Sequence, residues 1–352
     1  MSQLLCELIN ATLTGKETDV YGVKEEDWEQ CFDLALQQQV LAMTFPTMAA
    51  LPKEHRPNFT LWSKWMAYAE STAKMSRHKR EIVRMIGTWL AEEGVSTMII
   101  KGFSLAALYP RPELRESSDI DIYSGNDYDA VNACLTKHGL TVGRPDGHHA
   151  NVKVDGVSVE HHFSFDNSRV KDDKQGVEKR LRQLAIEERR STALPGICFP
   201  NAVFTALYVG RHAYKHFLSE KIELRHVIDW ALCLKQLTKD EAVVLHKVKG
   251  ESKWGRFLDV LTAIALHRLG LPKEWFPKRE WERAETVAAA DEQRLWDDII
   301  CAKHKKHGRT TSQQRLIIGR RLLQNRWKFD AYADESASVS LCKAFVGWLF
   351  KR

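Results

Sequence analysis

Apolar positions recur every three to four residues through the first part of the chain. In EEDWEQCFDLALQQQ (25–39), Trp28, Cys31, Phe32, Leu34 and Leu36 follow helical spacing. A second run, Phe59 to Glu93, carries Trp62, Trp65, Met66, Met75, Ile82, Ile86 and Leu90 and stops at Gly94, a natural C-cap. The pattern then changes. VSTMII (95–100) is a short β-rich run, FSLAALY (103–109) returns briefly to helix, and YPRPELRE (109–116) is a proline-punctuated loop. DIDIY (119–123) alternates at the strand period. NDYDAVNACLTKHG (126–139) reads as a helix with Asn126 as N-cap and Gly139 at its end. HHANVKV (148–154) and VSVEHHFSF (157–165) flank Asp155-Gly156, a dipeptide suited to a type I′ hairpin turn. After about residue 175 the pattern is helical to the end. A helix starts at Pro200 and runs through Phe217, and others cover roughly 221–236, 239–249, 254–268, 281–304, 312–328 and 338–350.

These elements predict an α+β fold. A small mixed-sheet α/β core (94–170) is flanked by a helical N-terminal region (1–93) and a larger all-helical C-terminal domain (171–352).

Composition narrows the class. The 352 residues are 44% hydrophobic and 28% charged, as in a soluble globular protein. No window approaches ~18 uninterrupted apolar residues, so no membrane-spanning helix is expected. The N-terminal MSQLLCELINATLTGKE lacks a basic region followed by a long apolar core, so no signal peptide is expected. Seven cysteines are scattered singly, with no CxxC. That pattern favours reduced thiols and a cytoplasmic location over a disulfide framework or a zinc ribbon. The net charge of +6 suits a partner that bears phosphates.

Candidate chemistry begins at Asp119 and Asp121. Alternation puts both on one face of a strand and Ile120 and Ile122 on the other. Two like charges on one face mark either a solvated edge or a divalent-metal site. Glu160 shares its strand face with Ser158, His162 and Ser164. If that strand neighbours DIDIY, a third carboxylate joins the pair, a good site for Mg²⁺. Two such ions can clamp the attacking and leaving oxygens of a phosphoryl or nucleotidyl transfer. Lys101-Gly102, between a strand and a helix, offers backbone N–H groups and a positive helix end to an anion.

Strand–Lys-Gly–helix, then Arg115…Asp119-Ile120-Asp121, then a carboxylate on a later strand, resembles the nucleotidyltransferase superfamily with the DNA polymerase β-like fold. KGFSLAALYP (101–110) and RHAYKHFLSEKIELRHVIDWAL (211–232) resemble more closely a bacterial branch of uncharacterised nucleotidyltransferases, over about residues 80–235. The resemblance implies a magnesium-dependent transfer of a nucleoside monophosphate from an NTP to an acceptor hydroxyl or phosphate. Asp119, Asp121 and Glu160 are then the catalytic residues and the ligands of two Mg²⁺ ions, with Mn²⁺ as a substitute. Lys101, Gly102, Ser104 and Arg115, with His212, Lys215 and His216 on a second wall, are then the nucleotide-binding residues. ATP is the favoured donor, and a small molecule or protein is favoured over nucleic acid as acceptor. The usual Gly-Ser or Gly-Gly after the first strand is replaced here by Lys101-Gly102-Phe103-Ser104. The rivals are a non-catalytic nucleotide-binding protein of the same fold and a glycosyltransferase that uses its DxD for Mn²⁺.

Other features have plainer readings. Arg225 and Asp229, four apart on a helix, read as a structural ion pair. His148, His149, His161 and His162 raise the question of zinc. With no cysteine near, and with paired histidines on a strand facing opposite ways, zinc is not expected; His162 is instead a candidate substrate contact. The basic stretch 302–330 reads as a solvated helix face, with nucleic-acid binding the alternative, and the amphipathic 338–352 reads as packing against the helical body.

Overall fold

The computed structural model describes residues 2–18, 20–145, 147–165, 176–187, 190–219, 221–250, 252–301, 325–333, 336 and 338–339. The fold is α+β: one six-stranded mixed sheet in a mainly helical chain. The strands are β1 (Thr97–Ile99), β2 (Asp119–Tyr123), β3 (His149–Val154), β4 (Val157–His162), β5 (Arg190–Ser191) and β6 (Ile197–Phe199). Their order across the sheet is β3-β4-β2-β1-β6-β5. β2 runs parallel to β4 and antiparallel to β1, and β1 runs parallel to β6.

Side-chain alternation gives the sheet two buried faces. Ile99, Ile120, Ile122 and Val159 enter one core with Ile82, Ile86 and Leu90 of the helix Phe59–Glu92 and with Val131 and Leu135 of the helix Tyr128–Lys137. Met98, Ile100 and Tyr123 belong to the larger core, which also takes in the N-terminal helices and those after residue 200. The N-terminal helices meet the helices after residue 250 there. Asn10 Nδ2 donates to the carbonyls of Leu269 (2.8 Å) and Gly270 (2.6 Å), and Gln38 Nε2 donates to that of Ile299 (2.9 Å). The long helix lies so close to β6 that a Cβ on Gly87 would stand 2.3 Å from the Pro195 carbonyl oxygen; only a glycine fits.

Most predicted elements are present. The hairpin turn has Asp155 at φ 45° and Gly156 at φ 82°, as type I′ requires. Several details differ. The helix expected over 103–109 is one turn, Phe103–Ala106. A 3₁₀ turn, Gly125–Asp127, precedes Tyr128–Lys137, so Asn126 does not cap it. The helix after Pro200 is Ala202–Ser219, capped by Asn201, whose Oδ1 accepts from the Phe204 N–H at 2.7 Å. The span 281–304 is divided at Thr286–Ala288 between the helices Lys278–Glu285 and Ala289–Ile300. The chain after 175 is not purely helical, because β6 returns to the sheet beside β1 and β5 pairs with it at the edge. A three-residue strand is too short to show a period. Most of the helix expected at 338–350 and most of the 302–330 segment lie outside the described residues, apart from the helix Arg326–Tyr332.

No helix among the described residues is long and apolar enough to cross a membrane. Among the described residues no disulfide forms: Cys6, Cys31, Cys134, Cys198 and Cys233 are buried, and Cys301 is exposed.

Candidate active site

The parallel pairing of β2 with β4 brings the carboxylates together. Asp121 stands directly opposite Glu160, and Asp119 opposite Ser158. Asp121 is fully buried. Its Oδ1 takes both Lys101 Nζ at 2.9 Å and His162 Nε2 at 3.0 Å. Its Oδ2 is buried with no hydrogen-bond partner among the described residues. Glu160 Oε2 lies 3.5 Å from the same His162 nitrogen. Asp119, one step out along β2, is half-buried at the cleft mouth.

Electrostatics differ sharply among these groups. Burial pushes the Asp121 carboxyl up, but Lys101 and His162 outweigh it and hold its pKa at about 2. Glu160 is held below the usual carboxylate range by the hydrogen bond from His162, against burial and Asp121. Asp119 is raised, first by burial and then by the neighbouring Asp121. Burial disfavours the charged form of Lys101 and of His162, yet the carboxylates raise the pKa of both.

Lys101 and Asp119 line a cleft of about 800 Å³, within the range of small-molecule sites, with Asp121 and His162 buried behind them. One wall comes from the helix Phe59–Glu92, the other from the helices Ala202–Ser219 and Leu224–Lys235. A smaller cavity of about 250 Å³ adjoins it, sharing Lys101, Asp119, Tyr208, His212 and His216 and adding Glu160 and Lys215. His212 is kept neutral, its pKa well below the ordinary value, by burial first and then by Lys101. The His212 and His216 rings lie 4.5 Å apart.

The other nucleotide-binding candidates divide. Gly102 lines the cleft at φ 57°, a left-handed conformation that glycine adopts without strain. The helix after it is too short to carry much of a dipole. Ser104 is buried, its Oγ lacks a partner, and it does not line the cleft. Arg115 is committed to structure. Its Nε and Nη2 donate to Asp229 Oδ1 (2.8 Å) and Oδ2 (2.7 Å), and its Nη1 donates to the Gly102 carbonyl (3.2 Å). Asp229 also accepts from the Tyr109 hydroxyl at 2.7 Å. The expected Arg225–Asp229 pair is therefore secondary: Arg225 Nη1 is 3.7 Å from Asp229 Oδ2, and its Nε donates to Gln39. A guanidinium bound bidentately by a carboxylate 114 residues away outcompetes one reaching along its own helix.

Two features escape sequence reasoning. Lys79 is buried in the cleft wall, and its Nζ donates to the Ser117 carbonyl (2.5 Å) and hydroxyl (3.1 Å), just ahead of Asp119. Its signal is a lysine within the apolar stripe that runs on to Ile82 and Ile86. The second is the histidine arrangement. His161 does face away, bonding Ser124 Oγ (2.9 Å) and Asn132 Oδ1 (2.7 Å). His148, however, precedes β3 on a turn, so strand alternation does not separate it from His149. Among the described residues, ligand atoms of His148, His149 and His162 lie within 4.8 Å of one another, as do those of Asp121, Glu160 and His162; Asp119 is in neither group.

Residues 24–270 match the family model described as uncharacterised nucleotidyltransferase. The match takes in all six strands and every residue lining the cleft, and extends in both directions beyond the stretch whose motifs carry the resemblance. Comparison with curated proteins and with solved structures gave no significant match.

Proposed function

The chain belongs to the uncharacterised nucleotidyltransferase family, and we propose that it moves a nucleoside monophosphate from an NTP to an acceptor hydroxyl or phosphate. ATP is the favoured donor, and a small molecule or a protein is the favoured acceptor. The new bond joins the acceptor oxygen to the α-phosphorus. The bond from that phosphorus to the bridging oxygen breaks, pyrophosphate leaves, and the acceptor loses its proton. The observation that carries this reading is the direct pairing of the buried Asp121 with Glu160 across β2 and β4, next to Asp119 and Lys101, which line the cleft.

The donor set fits Mg²⁺. Asp121 Oδ2 is a buried carboxylate oxygen with no partner, which costs free energy unless a cation satisfies it. Asp119, Asp121 and Glu160 would hold the ions, all through oxygen, as a hard cation prefers. When bound, the ions neutralise phosphate charge and lower the barrier electrostatically. Lys101 brings an ammonium to the same carboxylate, where it can serve the transferring phosphate. His162 orients Asp121 and Glu160 through one nitrogen. Glu160, kept ionised at neutral pH, can take the acceptor's proton. Arg115 and Asp229 act at a distance by fixing the Gly102 backbone.

Calorimetric titration of the four NTPs with Mg²⁺ tests this, comparing wild type with Asp119→Asn. Metal-dependent binding of one NTP, lost or weakened at least tenfold in the variant, supports the reading and names the donor for an acceptor screen. Equal binding in both proteins overturns it. The non-catalytic alternative draws on one contact: Lys101 already neutralises Asp121. Metal-dependent NTP binding with no pyrophosphate release across a broad acceptor screen would favour it.

A further inference from the structure

The three-histidine group is unexplained by nucleotidyl transfer through carboxylates. The His148–His149, His148–His162 and His149–His162 ring centroids are 4.8, 5.0 and 5.2 Å apart. Among the described residues, the Nδ1 atoms of all three are buried without a hydrogen-bond partner. His162 is almost wholly buried, and its Nε2 is already committed to Asp121 and Glu160. Three imidazoles are a poor choice for filling space, because each buried, unpaired nitrogen is desolvated with no return. A shared ligand would satisfy them.

We propose that His148, His149 and His162 form a site for a divalent transition-metal ion that prefers imidazole, zinc foremost, beside the carboxylate site. Neutral imidazole suits such ions, whereas Mg²⁺ prefers oxygen. Three histidines leave a fourth position open, as in reactive rather than purely structural zinc sites. Tetrahedral ligands at ~2.1 Å from zinc stand about 3.4 Å apart. Nitrogens already within 4.8 Å of one another close that gap by ring rotation. Glu160 Oε2, 3.9 Å from His149 Nδ1, supplies a neighbouring negative charge. The same cavity is lined by Lys215 and Arg211. These cations oppose a bare metal ion but favour an anion in its open position, so the fitting co-ligand is a phosphate oxygen. The inference does not depend on the Mg²⁺ reading, since Asp119 belongs to neither histidine group.

The test uses the full chain stripped with a chelator. Titration with Co²⁺ should show one tight equivalent with the visible absorption of nitrogen-rich, low-coordinate cobalt. Zn²⁺ should displace it, and a hundredfold excess of Mg²⁺ should not. Asp119→Asn should retain the equivalent, and His148→Ala/His149→Ala should lose it. As a check against misfolding of the double variant, X-ray absorption on the zinc-loaded wild type gives an independent reading: imidazole scattering from two or three ligands supports the site. An oxygen-only shell, no tight equivalent, or undiminished binding in a folded double variant overturns it. Loss of magnesium-dependent nucleotide binding in Asp119→Asn, with cobalt binding intact, keeps the two questions separate.

Discussion

Lys101 Nζ and Asp121 Oδ1 are 2.9 Å apart, and the carboxylate is fully buried. The lysine ends the segment that follows β1, and the aspartate sits at the centre of β2, so the contact ties two adjacent strands at the cleft floor. Lys101→Met should strand a buried charge and destabilise the protein by about 3–5 kcal/mol. Lys101→Met/Asp121→Asn should cost clearly less than the sum of the single changes. Urea unfolding of the three variants measures the coupling, and additive costs would show that the pair does not act as a unit.

The same pair sets a pH dependence. Asp121 titrates at about 2 when folded, below its ordinary value of 3.8. A depressed carboxyl contributes stability that is present above the unfolded value and lost as the pH falls through the folded one. About 2 kcal/mol should therefore disappear between pH 4 and 2. Asp121→Asn should flatten this limb of the stability curve. His162 has the opposite sign: its pKa is raised, so its contribution is complete below the unfolded value and fades as the pH rises through the folded one.

Asp119 bears on activity more than on stability. It is half-buried and has no ion-pair partner among the described residues. Asp119→Ala should keep the circular dichroism and Tm close to wild type. It should lower pyrophosphate release by roughly 10²–10³-fold, the scale for removing a charge-stabilising group from a preorganised site. Because burial and Asp121 raise its pKa, the acid limb of the rate profile should lie above the ordinary aspartate range. Normal turnover in Asp119→Ala would remove Asp119 from the mechanism.

Arg115 separates a structural role from a nucleotide contact. Arg115→Lys keeps the charge but loses the bidentate geometry to Asp229 and the bond to the Gly102 carbonyl. Thermal unfolding should show a loss of about 2–4 kcal/mol, matched by Asp229→Asn. A normal Tm with a raised KM for NTP would instead mean that the guanidinium reaches substrate.

Lys79 should matter through Ser117. Lys79→Met removes the donor that holds the Ser117 carbonyl and hydroxyl ahead of β2. The expected result is a KM for NTP raised several-fold. Lys79→Arg should restore part of it, because the donor returns with altered geometry. Equal kinetics in wild type and Lys79→Met would confine Lys79 to packing.

The chain's own pattern determined more of the core than of the cleft. Alternation in DIDIY placed Ile120 and Ile122 in the interior and Asp119 and Asp121 on the other face, because a strand's period is local. The Asp155-Gly156 turn was legible for the same reason. Which strand lay beside β2 was not legible. The parallel partner of Asp121 comes from a strand about forty residues on, and in that register Val157 and Val159 join the core that includes Ile82 and Ile86 of the long helix. Nor could spacing reveal that Arg115 would take Asp229 from Arg225, that Lys79 would reach Ser117, or that a turn before β3 would swing His148 toward His149 and His162. Each is a contact between side chains brought together by folding. Periodicity along the chain decides which way a side chain faces; what it faces depends on how the elements pack.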